Sequence, residues 1–389
     1  MGVHMSLTRE DFLRRENRKA QKENLRLWRS MDFVLLLVSL ALSGFGILAV
    51  HVAGTDANGE AYATIQAIGF VVGFLGAIPL AIIDYRVWRR FLRPIYGLAI
   101  VMLLAVTLMG ATVNGSTSWL DVGPVQVQPS EFAKPLMIVV LAGFFAEKAV
   151  GEHEVFLKAL GIIAVPGLLV LVQPDLGTAT VFGAVFLIMA YVAGARLIQL
   201  LGLVLAAVVS GVLAVKLGIL EEYQVARLTS FMNPEDAGTV GYQVAQSKMA
   251  IGSGGITGKG LDATTLANLG FLPEDHTDFI FSNLAERFGF VGSVALIFLF
   301  FFLIWRILHV ATTSRDRFGV LIAVGIGTMF LFHVLVNIGM TMGIMPVTGI
   351  PLPFISYGRS SLVVSVMSLG LLQSVAMRSR SEVSKQPKV

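Results

Sequence analysis

The sequence predicts an all-α polytopic membrane protein of about ten transmembrane helices, and three observations carry that prediction. The 389-residue chain is 55% hydrophobic and only 14% charged, with a mean hydropathy of +0.78, outside the balance of a soluble globular domain. Apolar runs of about 18 to 22 residues recur along it, each long enough as a helix to cross roughly 30 Å of hydrocarbon. Lys and Arg are unevenly shared among the segments that join these runs.

Taken in order, the runs fall at 32–51, 62–83, 92–112, 131–147, 156–173, 178–193, 197–219, 284–308, 318–342 and 359–377. The fourth, sixth and tenth are short or polar at one end. Residues 1–30 hold eight Lys/Arg and no apolar run, so they read as a charged tail and not as a cleaved signal peptide. The membrane domain spans 31–378, a large polar loop occupies 220–283 between spans seven and eight, and 379–389 form a second charged tail. An even number of spans puts both termini on one side. That side holds 22 of the 29 Lys/Arg, so the positive-inside rule makes it cytoplasmic and the long loop extracytoplasmic. The remaining seven cations are Lys134, Lys216, Arg227, Lys248, Lys259, Arg287 and Arg359. Topogenesis does not account for these. The net charge of +4 follows from topology and gives no nucleic-acid signal, and with no cysteine there is neither disulfide nor thiolate metal site.

The polar residues of the expected outer side fall into motifs. Gln128-Pro-Ser-Glu131-Phe-Ala-Lys134 opens the fourth span, with Pro129 suited to a first helical turn. Glu131 and Lys134, three apart, are neighbours on one helix face. Gln173-Pro-Asp175-Leu-Gly-Thr178 reads as a tight turn with Asp175 as a cap of the sixth helix. Tyr223-Gln224-Val-Ala-Arg227 begins the long loop, with Gln224 and Arg227 on one face of a helix. The run Ile251-Gly-Ser-Gly-Gly-Ile-Thr-Gly-Lys-Gly260 reads as a flexible loop or as anion-binding nests; it lacks the P-loop spacing. The loop ends in Phe271-Leu-Pro-Glu-Asp-His-Thr-Asp278-Phe-Ile-Phe281, an acidic cluster beside an apolar run. Ionisable groups at membrane depth are costly and mark sites. Asp275 is a candidate N-cap, which puts Asp278 in the first helical turn with a depressed pKa and makes Glu286 the neighbour that would retune it. His333 and Asn337 lie four apart in span nine, and Ser356-Tyr357-Gly358-Arg359 precedes span ten. No His-x-x-x-His or paired-acid ligand set stands out, and the metal site is left unassigned.

These motifs, in this order and at this topology, resemble the SEDS family (shape, elongation, division, sporulation) of integral membrane peptidoglycan glycosyltransferases, over essentially all of the membrane portion. The texture of the loops is closer to the RodA-type elongation branch than to the FtsW-type division branch. Arg359 stands where the family usually has a second glycine. The resemblance implies a multi-pass protein of the bacterial cytoplasmic membrane that polymerises lipid II into glycan strands at the outer face, by an inverting transfer. It implies Asp278 as the catalytic base. It implies a substrate-binding set of Glu131, Lys134, Asp175, Gln224, Arg227, His276, Thr277, Ser356, Tyr357 and Arg359. The expected partners are lipid II, polyprenyl-diphosphate-linked glycan, membrane lipid and a class B penicillin-binding protein as transpeptidase. A divalent cation, Mg or Mn, is the candidate cofactor, with no organic cofactor. Two other readings stay open on the residues alone: a lipid II flippase, and a non-catalytic scaffold for a partner synthase.

Overall fold

The structure, a computed structural model, describes residues 30–54, 57–113, 116–123, 125–232, 238–261, 263, 265, 266, 269, 271 and 274–383. The charged tail over 1–29, Pro273 of the acidic motif and residues 384–389 lie outside the described residues. The chain folds as α1 (Phe33–Ala53), α2 (Ala57–Ile82), a 3₁₀ segment (Tyr85–Phe91) and α3 (Leu92–Met109). Three short strands follow, β1 (Ala111–Val113), β2 (Ser116–Val122) and β3 (Val125–Val127). Then come α4 (Pro129–Glu147), α5 (His153–Val172), α6 (Leu176–Val192), α7 (Leu197–Lys216), α8 (Glu222–Thr229), α9 (Gly238–Ser253), α10 (Ile280–Thr313), α11 (Arg317–Thr341) and α12 (Arg359–Val383).

Ten of these twelve helices coincide with the ten apolar runs of the sequence. Among the described residues nine are long and apolar enough to cross a membrane, and α6, with 17 residues, is the tenth. Helix starts follow local chemistry: Asp32, Asp175 and Asp316 each accept a backbone N–H of the first turn, of Leu35, Thr178 and Gly319 at 2.9–3.1 Å, which satisfies donors that have no intrahelical partner. The sheet β1-β2-β3 is a small antiparallel meander between α3 and α4, paired Ala111 to Trp119 and Leu120 to Val127. It is an addition to the all-helical expectation, too short to show a period in the sequence.

Helices α4, α11 and α12 form the buried centre, whereas α7 buries only Leu200 and is exposed over most of its surface. That ordering matters, because these central helices also carry ionisable side chains, among them Glu131, Lys134, His333 and Arg378. Positive groups gather at one end of the bundle: Arg86 bonds Asp316, Arg378 bonds Asp84 and Arg306 bonds Asp32. Asp278 lies at the opposite end, since α10 runs from just beyond Asp278 to just beyond Arg306.

The long helix α10 is broken at Gly289, whose φ of 65° and ψ of −163° are open to glycine alone. The glycine-rich run 252–260 is sewn onto this break. Lys259 N and Gly260 N donate to Glu286 O and Arg287 O at 3.0 Å, and Phe290 N and Val291 N donate to Gly255 O and Ile256 O at 2.9 and 3.1 Å. The run is therefore neither a flexible loop nor an anion nest: its N–H groups at 259 and 260 are engaged by helix carbonyls.

Candidate active site

The turn that carries Asp278 is built before the helix, not within it. The first residue of α10 is Ile280 and its N-cap is Phe279, so Asp275 is not the cap and Asp278 is outside the first helical turn. Instead Glu274, at φ 58°, folds the chain back, and its carbonyl accepts from Thr277 N and Phe279 N at 3.2 and 3.1 Å. Thr277 Oγ1 donates to Glu274 Oε2 at 2.8 Å, and Asp275 accepts from Asn283 Nδ2 at 3.2 Å.

Two distant segments clasp this turn. Ser356 Oγ donates to Thr277 O at 2.7 Å and accepts from Leu352 N, while Tyr357 N donates to His276 O at 2.9 Å. From α11, Asn337 Nδ2 donates to both Asp278 O (3.0 Å) and Ile350 O (2.8 Å). From α2, Gln66 Nε2 donates to Ser356 O at 3.0 Å, and the Tyr62 ring stacks on His276 with centroids 4.8 Å apart and planes 7° from parallel. Tyr62 also meets Tyr357 at 4.8 Å, so three aromatic rings border the turn. Gln66, Asn337 and Tyr62 were absent from the site read in the sequence. The available signal was polarity inside an apolar run, which at Gln66 and Asn337 marks a residue with a task.

The electrostatics of Asp278 differ from the sequence expectation. Its carboxyl is pushed up to about 6 from an ordinary value of 3.8. Burial is the largest cause, because desolvation disfavours the anion. Arg227 and His276 pull the value back down, and Glu274 and Asp175 raise it. Glu286 is not the retuning neighbour: it is buried, paired with Lys259 Nζ at 2.6 Å, and accepts from Leu266 N at 3.1 Å. Arg227 faces the carboxylate across Gly349 without a direct ion pair. A Cβ built on that glycine would lie 3.3 Å from Asp278 Oδ2 and 3.6 Å from Arg227 Nη1. Arg227 is held in place by its own carbonyl, which accepts from Val347 N at 3.2 Å.

A second polar layer lies one helical turn deeper. Glu131 and Lys134 pair at 2.7 Å, both buried, and Lys134 Nζ also meets His333 Nε2 at 2.9 Å. His333 Nδ1 lies 2.6 Å from Met329 O, so Nδ1 carries the proton and Nε2 accepts from the ammonium. His333 precedes Asn337 by four residues on the same face of α11, about 6 Å along the axis. One helix thus connects the Asp278 turn to the lysine. Asp175 joins from the side: Oδ1 caps α6, and Oδ2 lies 3.4 Å from Gln128 Nε2 and 3.5 Å from Ser130 Oγ. Gln128 N donates to Ser360 Oγ at 2.9 Å, next to half-buried Arg359.

Two residues have local work of their own. Gln224 Oε1 accepts from Glu221 N at 3.0 Å and closes the capping box of α8. Arg287 bonds Val52 O, Leu261 O and Asn283 Oδ1 at 2.5–3.0 Å, which fixes the α10 break to the end of α1. Among the described residues no three His, Asp or Glu side chains are grouped to hold a metal ion. The described residues thus hold no ready-made cluster of the kind a cation cage would need, which for Mg²⁺ means near-octahedral oxygen ligation.

A carboxylate held near neutrality, faced by an arginine and backed by a buried lysine, suits proton removal beside a departing anion. Comparison with known proteins agrees on the class. The family profile described as "Cell cycle protein" (FtsW, RodA, SpoVE) matches residues 29–381. Stage V sporulation protein E of Bacillus subtilis is 37% identical over 90% of this chain and 98% of its own. A probable peptidoglycan glycosyltransferase FtsW of Trichlorobacter lovleyi is 36% identical over 89% and 93%, and the peptidoglycan glycosyltransferase MrdB of Escherichia coli K12 is 37% identical over 89% and 93%. A solved structure described as the structural coordination of polymerization and crosslinking by a peptidoglycan synthase complex superposes with a TM-score of 0.78, at 28% identity, over 90% of this chain and 98% of that one. The chain belongs to the SEDS family and is an integral membrane peptidoglycan glycosyltransferase of bacteria.

Proposed function

We propose that the chain polymerises lipid II into glycan strands at the outer face of the cytoplasmic membrane, with Asp278 as general base. The observation that carries this reading is the half-buried Asp278, its carboxyl raised to about 6 by burial and facing Arg227, on a turn whose carbonyls at Thr277 and His276 are clasped by Ser356 and Tyr357. A base tuned near the working pH combines a populated anion with useful proton affinity, and such catalysis contributes about 10²–10⁴-fold.

The step balances as one displacement. The acceptor GlcNAc 4-hydroxyl gives its proton to Asp278 while its oxygen bonds to the anomeric carbon of a MurNAc-diphospho-polyprenol. The bond from that carbon to the diphosphate oxygen breaks, and the diphosphate leaves with the electron pair. An α-linked donor gives a β-linked strand, so the transfer inverts and needs no covalent sugar intermediate. Arg227 stabilises the charge developing on the diphosphate; Lys134, held by Glu131 and His333, adds a fixed positive group beneath it. Glu131, Asp175, Gln224, His276, Thr277 and Arg359 shape the substrate cleft, and Tyr62 and Tyr357 offer ring faces to the sugars. A Mg or Mn ion, the expected cofactor, would when bound neutralise charge on the departing diphosphate.

The test is polymerisation of purified lipid II by the wild-type chain and by Asp278→Asn, with and without a class B penicillin-binding protein. Loss of at least 10²-fold in rate with unchanged partner binding supports the reading; equal polymer from the variant sinks it. Asp278-dependent lipid II movement across liposomes without polymer would make the chain a flippase. We also assign it to cell elongation, on the texture of its loops. Relatives named for division and sporulation match equally well, so depletion in cells decides: rounded cells support elongation, and filaments overturn it.

A further inference from the structure

At the end of the bundle opposite Asp278, a cavity of about 160 Å³ opens between α1, α2 and α12. Its wall is almost wholly apolar and includes Leu36, Ser39 and Leu40 of α1, Phe74 and Ala81 of α2, and Gln373 of α12. From Phe70 to Ala81 it follows α2 for about 16 Å, the length of a dozen methylene groups. Leu40 and Phe74 are 41% and 40% exposed, so the cavity is a furrow open to the surroundings of the bundle.

Its polar end is cationic. Buried Asp32 accepts from Arg306 Nε at 2.8 and 2.7 Å and from Arg380 Nη2 at 2.9 Å. Arg380 Nη1 donates to the carbonyl of Met31, which lines the furrow, and Gln373, also in the wall, exchanges two hydrogen bonds with the Asp32 backbone. Alongside, Arg378 pairs with Asp84 and donates to Ala81 O. Three arginines thus meet two aspartates, an excess of one positive charge. The Nη1 and Nη2 groups of Arg306 meet no acceptor among the described residues, although the side chain is only 13% exposed. A guanidinium in that state presents parallel N–H donors matched to a phosphate.

We propose that this furrow is a binding site for an anionic phospholipid, with one acyl chain between α1, α2 and α12 and the headgroup phosphate on Arg306 and Arg380. Surplus charge at the mouth selects the head, and basic pockets between membrane helices recognise lipid phosphates in this way. The lipid would add a further link among α1, α10 and α12 at the end where Asp32 joins Arg306 and Arg380.

The full-length chain in neutral detergent is titrated with dioleoylphosphatidylglycerol or with dioleoylphosphatidylcholine, and adducts are counted by native mass spectrometry beside the thermal midpoint. One phosphatidylglycerol is retained where no phosphatidylcholine survives, and the midpoint rises with its concentration as for any ligand of the native state. Arg306→Gln lowers the phosphatidylglycerol affinity about tenfold, and Ser39→Phe, which fills the furrow without a change of charge, removes the adduct. Equal retention of the two lipids by the wild type, a measurement that needs no variant, overturns the proposal. So does the same midpoint rise from inorganic phosphate alone, which would indicate an anion site without a tail. Displacement of phosphatidylglycerol by a polyprenyl phosphate at lower concentration would give the furrow to the isoprenoid carrier instead.

Discussion

Asp278 is held between two opposing sets of charges, and each set makes a prediction of its own. A general base works only when ionised, so kcat/KM should fall as pH drops through about 6, the value to which burial lifts this carboxyl. Arg227 favours the anion and Glu274 disfavours it. Arg227→Gln should therefore move the acidic limb of the profile to higher pH, and Glu274→Gln should move it lower. Profiles of lipid II polymerisation between pH 5 and 9 read both shifts; limbs that coincide with wild type would remove Asp278 from the titration. The same carboxyl makes a stability statement with the opposite slope. Its folded value exceeds the unfolded one, so the folded protein holds more protons between about 4 and 6 and loses stability as pH rises through that window. Activity and stability pull apart at this residue, as expected of a group tuned for chemistry.

At the scale of elements, the break in α10 is what aims the site. Without it a straight helix would run from Ile280 to Thr313, with no place for the chain at 255–260 to dock. The seam is intolerant of side chains. A Cβ on Gly289 would lie 2.3 Å from Gly258 N, and one on Gly258, at φ +83°, 2.1 Å from Arg287 O. Gly289→Ala should therefore destabilise the chain by about 1–3 kcal/mol, the cost of a residue forced into such backbone space, with a further loss from the clash. Thermal unfolding in detergent checks this, and a midpoint equal to wild type would refute the seam. The sequence showed the five glycines of the run 251–260 but not their use, because the partners lie some thirty residues ahead in a stretch that reads as uninterrupted helix. Glu286 misled for the same reason: it looked like a neighbour of Asp278, whereas the seam turns it towards Lys259.

Over the whole molecule, the sequence is most legible where one chemical pressure acts alone. Hydrocarbon thickness sets the length of the apolar runs, so each of the ten coincides with a helix to within a few residues, nine of them long enough to span and α6 shorter. The Glu131–Lys134 pair was visible too, because a three-residue spacing on a helix leaves little freedom. Features that depend on meetings across the fold were not: His333 on Lys134, Asn337 on the Asp278 turn, Tyr62 on His276, and the burial that sets the charge state of Asp278. Sidedness rests on the same single-pressure logic, through the 22 cations on one side, and the chain itself offers the means to test it. It contains no cysteine, so single cysteines report position without background. Ile256, 73% exposed beside the Gly289 seam, and Arg315, exposed between α10 and α11, lie at opposite ends of the bundle. Ile256→Cys should react with a membrane-impermeant maleimide on intact cells stripped of any outer membrane, and Arg315→Cys only after permeabilisation. The reverse pattern would put Asp278 on the cytoplasmic face, where a strand polymerised outside the membrane could not be made.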